Sequence, residues 1–370
     1  MSQKDSPGKI KFTPISNIGE FKLIDKFKDI ASRSSLPKTD VPTSQSPQIV
    51  QSIGDDAAII KPSADKLTVV TTDVLIQSIH FDLSYTSMKH LGKKAAVANL
   101  SDIAAMSAVP TAAFISLGIH SNMSLEMIEE FYEAMADELE KNNCIIAGGD
   151  TSASPIGFIV NVTIVGEVEP DRRVLRSGAS IGDVVCVTGD LGRSHAGLKI
   201  LLREKNRYIE AGQPASFTPQ FEGYDDALQK HLLPEARVTL SRELTQKIRV
   251  HAMIDVSNGL VSDMLHLCRA SELRAELDEE FIPIDPVTRK IASEFGDTPL
   301  DYALNGGEDY ELIFTIAEAD FDKLYSLGGN VRVIGRIKKG EPRVVIHRLD
   351  GKAEEYSDFS SYQHFSSKSR

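Results

Sequence analysis

Residues Met88–Ser107 read MKHLGKKAAVANLSDIAAMS, a helical stretch dominated by small side chains from Ala95 onward. A helix without a polar face is buried, and small residues let neighbouring backbones approach closely. Whatever this chain folds into must therefore wrap around that helix. In its middle stands Asp102, and a buried carboxylate is costly unless it is paired or bound to metal. Lys141 is the only lysine or arginine between residues 95 and 171, so a metal ion is the better partner.

The rest of the chain alternates strand and helix signals in both halves, which indicates an α/β or α+β protein. The 370 residues suffice for two domains. Phe21, Ile24, Phe27 and Ile30 recur at helical spacing. Strands are expected at Ala57–Ile60, Leu67–Thr72, Cys144–Ala147, Phe158–Val165, Val184–Thr188, Ala252–Val256, Glu311–Ile316 and Val331–Ile337. Further helices are expected over Leu125–Lys141 and after Gly259. We divide the chain into a flexible leader (1–17), an N-terminal domain (18–168) and a C-terminal α/β domain (169–370). Polar, aperiodic stretches at 34–49 and 206–229 read as a mobile loop and an insertion.

Four acidic motifs mark the first half: Gly54-Asp55-Asp56, Thr71-Thr72-Asp73, Asn99-Leu100-Ser101-Asp102 and Gly148-Gly149-Asp150. Three adjoin expected strands, with Asp73 placed at a strand end, where aspartate is a poor strand former. Each alone also fits ordinary Gly-Asp turn chemistry. Together, hard oxygen ligands with hydroxyls and no Cys/His cluster suit Mg²⁺ rather than Zn²⁺. The second half adds Asp255-Val256-Ser257-Asn258-Gly259 before a helix, where free N–H groups bind phosphate well. It also adds Gly189–Ser194 and Asn305-Gly306-Gly307-Glu308-Asp309-Tyr310, which fit plain loops equally well.

Other classes are excluded by what the sequence lacks. There is no phosphate-binding G-x-x-x-x-G-K-[ST] loop, protein-kinase motif set, G-x-S-x-G elbow or H-E-x-x-H. A net charge of −12 argues against nucleic acid or an anionic membrane as partner. If the substrate is itself an anion, cations must stand between it and these carboxylates. Three scattered cysteines and the absence of a long apolar run point to a cytoplasmic protein.

Several of these stretches together resemble the thiamine-monophosphate kinase family: Ile53–Ala58, Thr71–Asp73, Asn99–Met106, Gly148–Thr151, Leu175–Gly178, Thr188–Gly192 and Asp255–Asp263. Gly306-Gly307-Glu308-Asp309-Tyr310-Glu311-Leu312 is the most particular of them, and the match runs in order over roughly residues 18–365. The wider superfamily includes aminoimidazole ribonucleotide synthetase and selenophosphate synthetase. The resemblance implies transfer of the ATP γ-phosphoryl group to thiamine monophosphate with several Mg²⁺ ions. It implies a two-domain fold of the aminoimidazole ribonucleotide synthetase type, and a homodimer whose N-terminal mixed sheets pair into a barrel. By position it implies metal ligands at Asp56, Thr71, Thr72, Asp73, Asp102, Asp150, Asp255 and Asn258, and nucleotide contacts at Tyr132, Gly149, Asp150, Arg176 and Ser257. It places His80, Glu308 and Tyr362 against the thiamine substrate and assigns no general base. Asn258 departs from the family's usual Asp and brings no charge to its corner of the site. Two alternatives remain: an ATP-dependent synthetase of the same superfamily, and a nucleotide-binding regulator whose turnover decayed through Asn258.

Overall fold

The computed structural model describes residues 12–18, 20–33, 48–53, 57–325 and 331–358. Asp56, Tyr362 and most of the 34–49 stretch lie outside the described residues.

The first half runs α1 (Ile15–Ile18), α2 (Glu20–Arg33), β1 (Gln48–Gln51), β2 (Ile59–Lys61), β3 (Leu67–Ile76) and α3 (Met88–Ala105). It continues with β4 (Val109–Ile119), α4 (Leu125–Lys141), β5 (Ile145–Ala153) and β6 (Ile159–Val168). Its main sheet has the order β3-β6-β4-β5, antiparallel except for the parallel pair β4–β5, and is therefore mixed. The second half comprises β7 (Val184–Thr188), α5 (Arg193–Glu210), α6 (Asp225–Leu232), α7 (Val238–Lys247), β8 (Val250–Asp255), α8 (Leu260–Ser271) and β9 (Arg274–Asp278). It closes with α9 (Pro286–Phe295), α10 (Pro299–Asn305), β10 (Leu312–Ile316), α11 (Phe321–Tyr325), β11 (Val331–Lys338), β12 (Val344–His347) and β13 (Ala353–Tyr356). These seven strands form one sheet in the order β13-β12-β9-β11-β7-β10-β8.

Three differences from the sequence pattern matter. β3 and β5 run past the expected strand ends, so Asp73 and Asp150 lie inside strands, held by continuous pairing. β4, a central strand of its sheet, has no counterpart among the expected strands; its Ala, Gly and Pro residues hide the β signal. Residues 12–17, expected within a flexible leader, are docked on the start of α4. There the Thr13 N–H donates to the Glu126 carboxylate at 2.9 Å and the Thr13 carbonyl accepts from Leu125 N–H at 2.8 Å.

α3 is buried as its composition requires. It packs on α4 so closely that a Cβ at Gly92 would stand 2.1 Å from the Phe131 carbonyl oxygen. The second half clamps its other end: Ser241 Oγ donates to the Ala104 carbonyl at 2.6 Å, and Arg242 Nη1 to that of Ser107 at 2.6 Å. Arg242 also reaches Glu169 at 2.8 Å, so one side chain ties both halves.

Candidate active site

Alternation along β3 decides which of its polar residues meet α3. Thr71 and Asp73 share the face covered by the helix, and Thr72 points to the opposite, open face. There Thr72 Oγ1 meets Thr163 Oγ1 at 2.9 Å and accepts from Asn161 Nδ2 at 3.1 Å. On the covered face the Thr71 hydroxyl donates to the Asp102 carboxylate. One residue earlier on the helix, Ser101 Oγ donates to Asp255 Oδ2 at 2.8 Å, joining α3 to the end of β8. Asp73, Asp102 and Asp255 thus come together from three elements.

Their electrostatics are unbalanced. Burial, then the charges of Asp102 and Asp263, push the Asp255 carboxyl up to about 8. Burial, then Asp102, raises Asp73 to about 6. Asp102 is also raised by burial, against the pull of the Thr71 hydrogen bond and the Arg176 guanidinium. The buried Tyr310 phenol is pushed well up by burial and by the charges of Glu308, Asp73, Asp255 and Asp102, which places it among these acids. Arg176, which lies beyond the 95–171 stretch, is thus a cation near Asp102.

The donor set fits Mg²⁺: hard oxygens at carboxyls whose proton affinity is raised for want of a cation. Among the described residues, no three His, Cys, Asp or Glu groups form a metal cage on their own. Mg²⁺ ordinarily takes only one or two carboxylates, with phosphate oxygens and waters completing its octahedron.

Asp150 and Gly149 are not part of this cluster. Asp73 pairs with Val162, Val162 with Ile115, and Ile115 with Gly149, one row across the sheet. The ends of that row are three strand spacings apart, about 14 Å. Asp150 falls in the next row, with Ser116, Asn161 and the exposed Val74, on the open face. Instead, Gly149 and Asp150 line a cleft of about 880 Å³ with Tyr132, Ser116 and Lys28. Tyr132 is buried and stacks on Phe27 with ring centroids 4.2 Å apart. Only glycine fits at position 149, since a Cβ would lie 1.9 Å from the Ile115 carbonyl oxygen.

The helix starts that looked open to phosphate are partly filled by the chain's own acids. The N–H groups of Asn258 and Gly259, before α8, donate to Asp263 Oδ2 at 2.9 and 3.1 Å. The Asn258 side-chain amide donates to Asp263 Oδ1 at 3.2 Å and to the adjacent Ser257 Oγ at 3.1 Å. An aspartate at 258 would face that carboxylate as a like charge, which gives the neutral residue a physical reason. At the start of α5, the N–H groups of Gly192 and Ser194 donate to the Asp309 carboxylate at 2.7 and 3.1 Å.

Glu308 stands in the left-handed region (φ 64°), its amide donating to the Ser257 carbonyl at 2.9 Å. Burial pushes its carboxyl up, but Lys94 and then His231 and His80 hold it below the usual carboxylate range. His80, whose Nδ1 accepts from Ile76 N–H at 3.0 Å, therefore shares this corner with Glu308. Tyr85 is there too, its phenol pushed up to about 12 by burial, Asp82 and Glu308. Lys94, Tyr85 and His231 were missed by sequence reasoning. Lys94 carried the one usable signal, a lysine entering the Ala-rich stretch. Next to this corner Glu311 is fully buried, bound by Lys230 at 2.5 Å, Arg237 at 2.6 Å and Thr188 Oγ1 at 2.6 Å.

Two family models match the chain: AIR synthase related protein, N-terminal domain, over residues 54–168, and AIR synthase related protein, C-terminal domain, over 180–347. The chain is 35% identical over 329 residues to thiamine-monophosphate kinase of Aquifex aeolicus (strain VF5), covering 88% of this chain and 94% of that protein. The crystal structure of thiamine-monophosphate kinase from Stenotrophomonas maltophilia K279a is similar with a TM-score of 0.73 and 31% identity. That likeness covers 89% of this chain and 97% of the other. A structure described as AaThiL complexed with AMPPCP and TMP matches at a TM-score of 0.67 and 31% identity, over 92% and 98% of the two chains.

Proposed function

This chain belongs to the thiamine-monophosphate kinase family, and on that premise we propose that it transfers the γ-phosphoryl group of ATP to thiamine monophosphate, giving thiamine diphosphate and ADP. The observation that carries the chemistry is the meeting of Asp73, Asp102 and Asp255 around α3. The acceptor is already an anionic phosphate and needs no general base; the obstacle is bringing two polyanions together. Mg²⁺ bound here would offset that repulsion and align the phosphates for in-line transfer. In this reading Asp73, Asp102 and Asp255 hold metal, with Thr71 orienting Asp102; Asp56, outside the described residues, is a further ligand on the resemblance alone. Arg176 steadies phosphate charge. Ser257 is a nucleotide contact. Asn258, its amide bound to Asp263, has its carbonyl as the one atom suited to a metal. His80 and Glu308 face the heterocycles of thiamine monophosphate; Tyr362, outside the described residues, is assigned to the same substrate by the resemblance alone. The cleft at Tyr132, Gly149 and Asp150 takes the nucleotide.

The same reading includes a homodimer. The open face of the four-stranded sheet exposes Val70 at 61% and Val74 at 47% beside the polar Thr72, Asn161 and Asp150, a mixed surface that a second copy would cover. Two such sheets joined as a barrel about a twofold along its axis set β5 of one copy beside β3 of the other. That would return Asp150 to the neighbourhood of Asp73, which one chain alone keeps apart. The location we propose is cytoplasmic: all three cysteines are free and buried, and no described helix is long and apolar enough to cross a membrane.

The deciding experiment incubates the purified protein with Mg·ATP and thiamine monophosphate and follows both nucleotide and thiamine species. Thiamine diphosphate and ADP should appear in equal amounts. Intact ATP and no thiamine diphosphate would sink the proposal.

A further inference from the structure

Lys94 is 4% exposed, an unusual place for an ammonium group. Its Nζ lies 2.8 Å from Glu308 Oε2, and His231 Nδ1 lies 3.6 Å from the same oxygen. His231 is itself fixed by Ser194 Oγ at 3.1 Å. Both contacts are to Oε2, and the glutamate side chain keeps 29% of its surface open. The loop is packed so closely that only glycine fits beside it: a Cβ at Gly307 would come 2.5 Å from the Ser257 carbonyl oxygen, and one at Gly306 2.3 Å from that of Tyr302.

Lys94 also sits on a telling face of α3. Val97 and Ala98, three and four residues on, pack against Tyr310, and Ser101, seven on, binds Asp255. One helix face therefore runs from the ion pair to the carboxylate cluster. A buried salt bridge adds little stability, because desolvation offsets the attraction, so its worth lies in geometry.

We propose that Lys94 is a positioning residue for substrate binding, fixing Glu308 Oε2 so that Oε1 is presented to the cationic heterocycle of the substrate. The proposal rests on the reading of this corner as the thiamine monophosphate site. Lys94 acts through Glu308 and does not take the substrate phosphate.

Calorimetric titration with thiamine monophosphate and with unphosphorylated thiamine tests it, on wild type, Lys94→Met, Glu308→Gln and the double variant. Lys94→Met should weaken both ligands alike, by about tenfold or more. In turnover it should raise KM for thiamine monophosphate with kcat little changed and KM for ATP unmoved. The double variant removes both charges and should fold even where Lys94→Met alone does not, binding no worse than Glu308→Gln. Wild-type affinity in Lys94→Met overturns the proposal. So does a loss confined to thiamine monophosphate, or a further loss in the double variant beyond Glu308→Gln. Wild-type protein that binds AMPPCP but neither thiamine compound overturns the reading of the corner itself.

Discussion

Asp255 is 3% exposed beside two other acids, so its charge is disfavoured in the folded chain. A carboxyl raised from 3.8 to about 8 holds its proton more tightly folded than unfolded. Its stabilising contribution is present at low pH and is lost as pH rises through the folded value. Asp73, raised to about 6, has lost its share earlier. Melting in EDTA should therefore show stability falling between about pH 4 and pH 8 and levelling off above, with Asp255 alone contributing up to about 1.4 kcal/mol per pH unit across the upper part of that range. Asp255→Asn, whose amide oxygen still accepts from Ser101, should flatten that slope. Asp73→Asn should nearly abolish turnover, by about a hundredfold or more, while leaving the melting temperature near wild type; normal turnover would contradict its metal-holding role. The acids were legible in the sequence because they interrupt apolar segments. Their partners were harder to read: His231 reaches Glu308 from a distant position, Lys94 is marked only as a lysine entering the Ala-rich stretch, and the resemblance assigns Arg176 to the nucleotide rather than beside Asp102.

At the scale of elements, the helices were easier to read than the ends of strands. α3 and α4 follow from long periodic or small-residue runs, and Ser87 and Ser124 cap them by accepting from the N–H groups three residues on. β3 and β5 were expected to stop at Thr72 and Ala147 because acids and glycines usually break strands. Pairing overrides that local preference at Asp73 and at Gly149, where glycine alone clears the neighbouring backbone. This moved Asp73 and Asp150 from turns into strands and separated them across the sheet. Gly92 tests the tightest helix contact. Gly92→Ala should push α3 off α4 and cost about 1–3 kcal/mol, read as a lower urea midpoint with unchanged slope.

For the whole molecule, the row from Asp73 to Gly149 makes the dimer testable without a structure. Asp73→Asn and Asp150→Asn should each be inactive alone. Unfolding and refolding them together gives mixed dimers in which one of the two sites is intact. Activity should return to about a quarter of wild type. No recovery would mean that each chain completes its own site, or that the twofold pairs like strands. The overall fold was legible as two α/β halves. The order of strands in either sheet was not, because long-range pairing leaves no local trace.

α3 touches its own sheet, α4 and the second half at once, and hydrogen bonds from Ser241 and Arg242 hold its C-terminal end. The amides of its buried middle and C-terminal turns should therefore rank among the slowest to exchange with solvent deuterium. The floor of the site is then ready-made before any ligand arrives, and whatever motion accompanies turnover belongs to the parts that close over it.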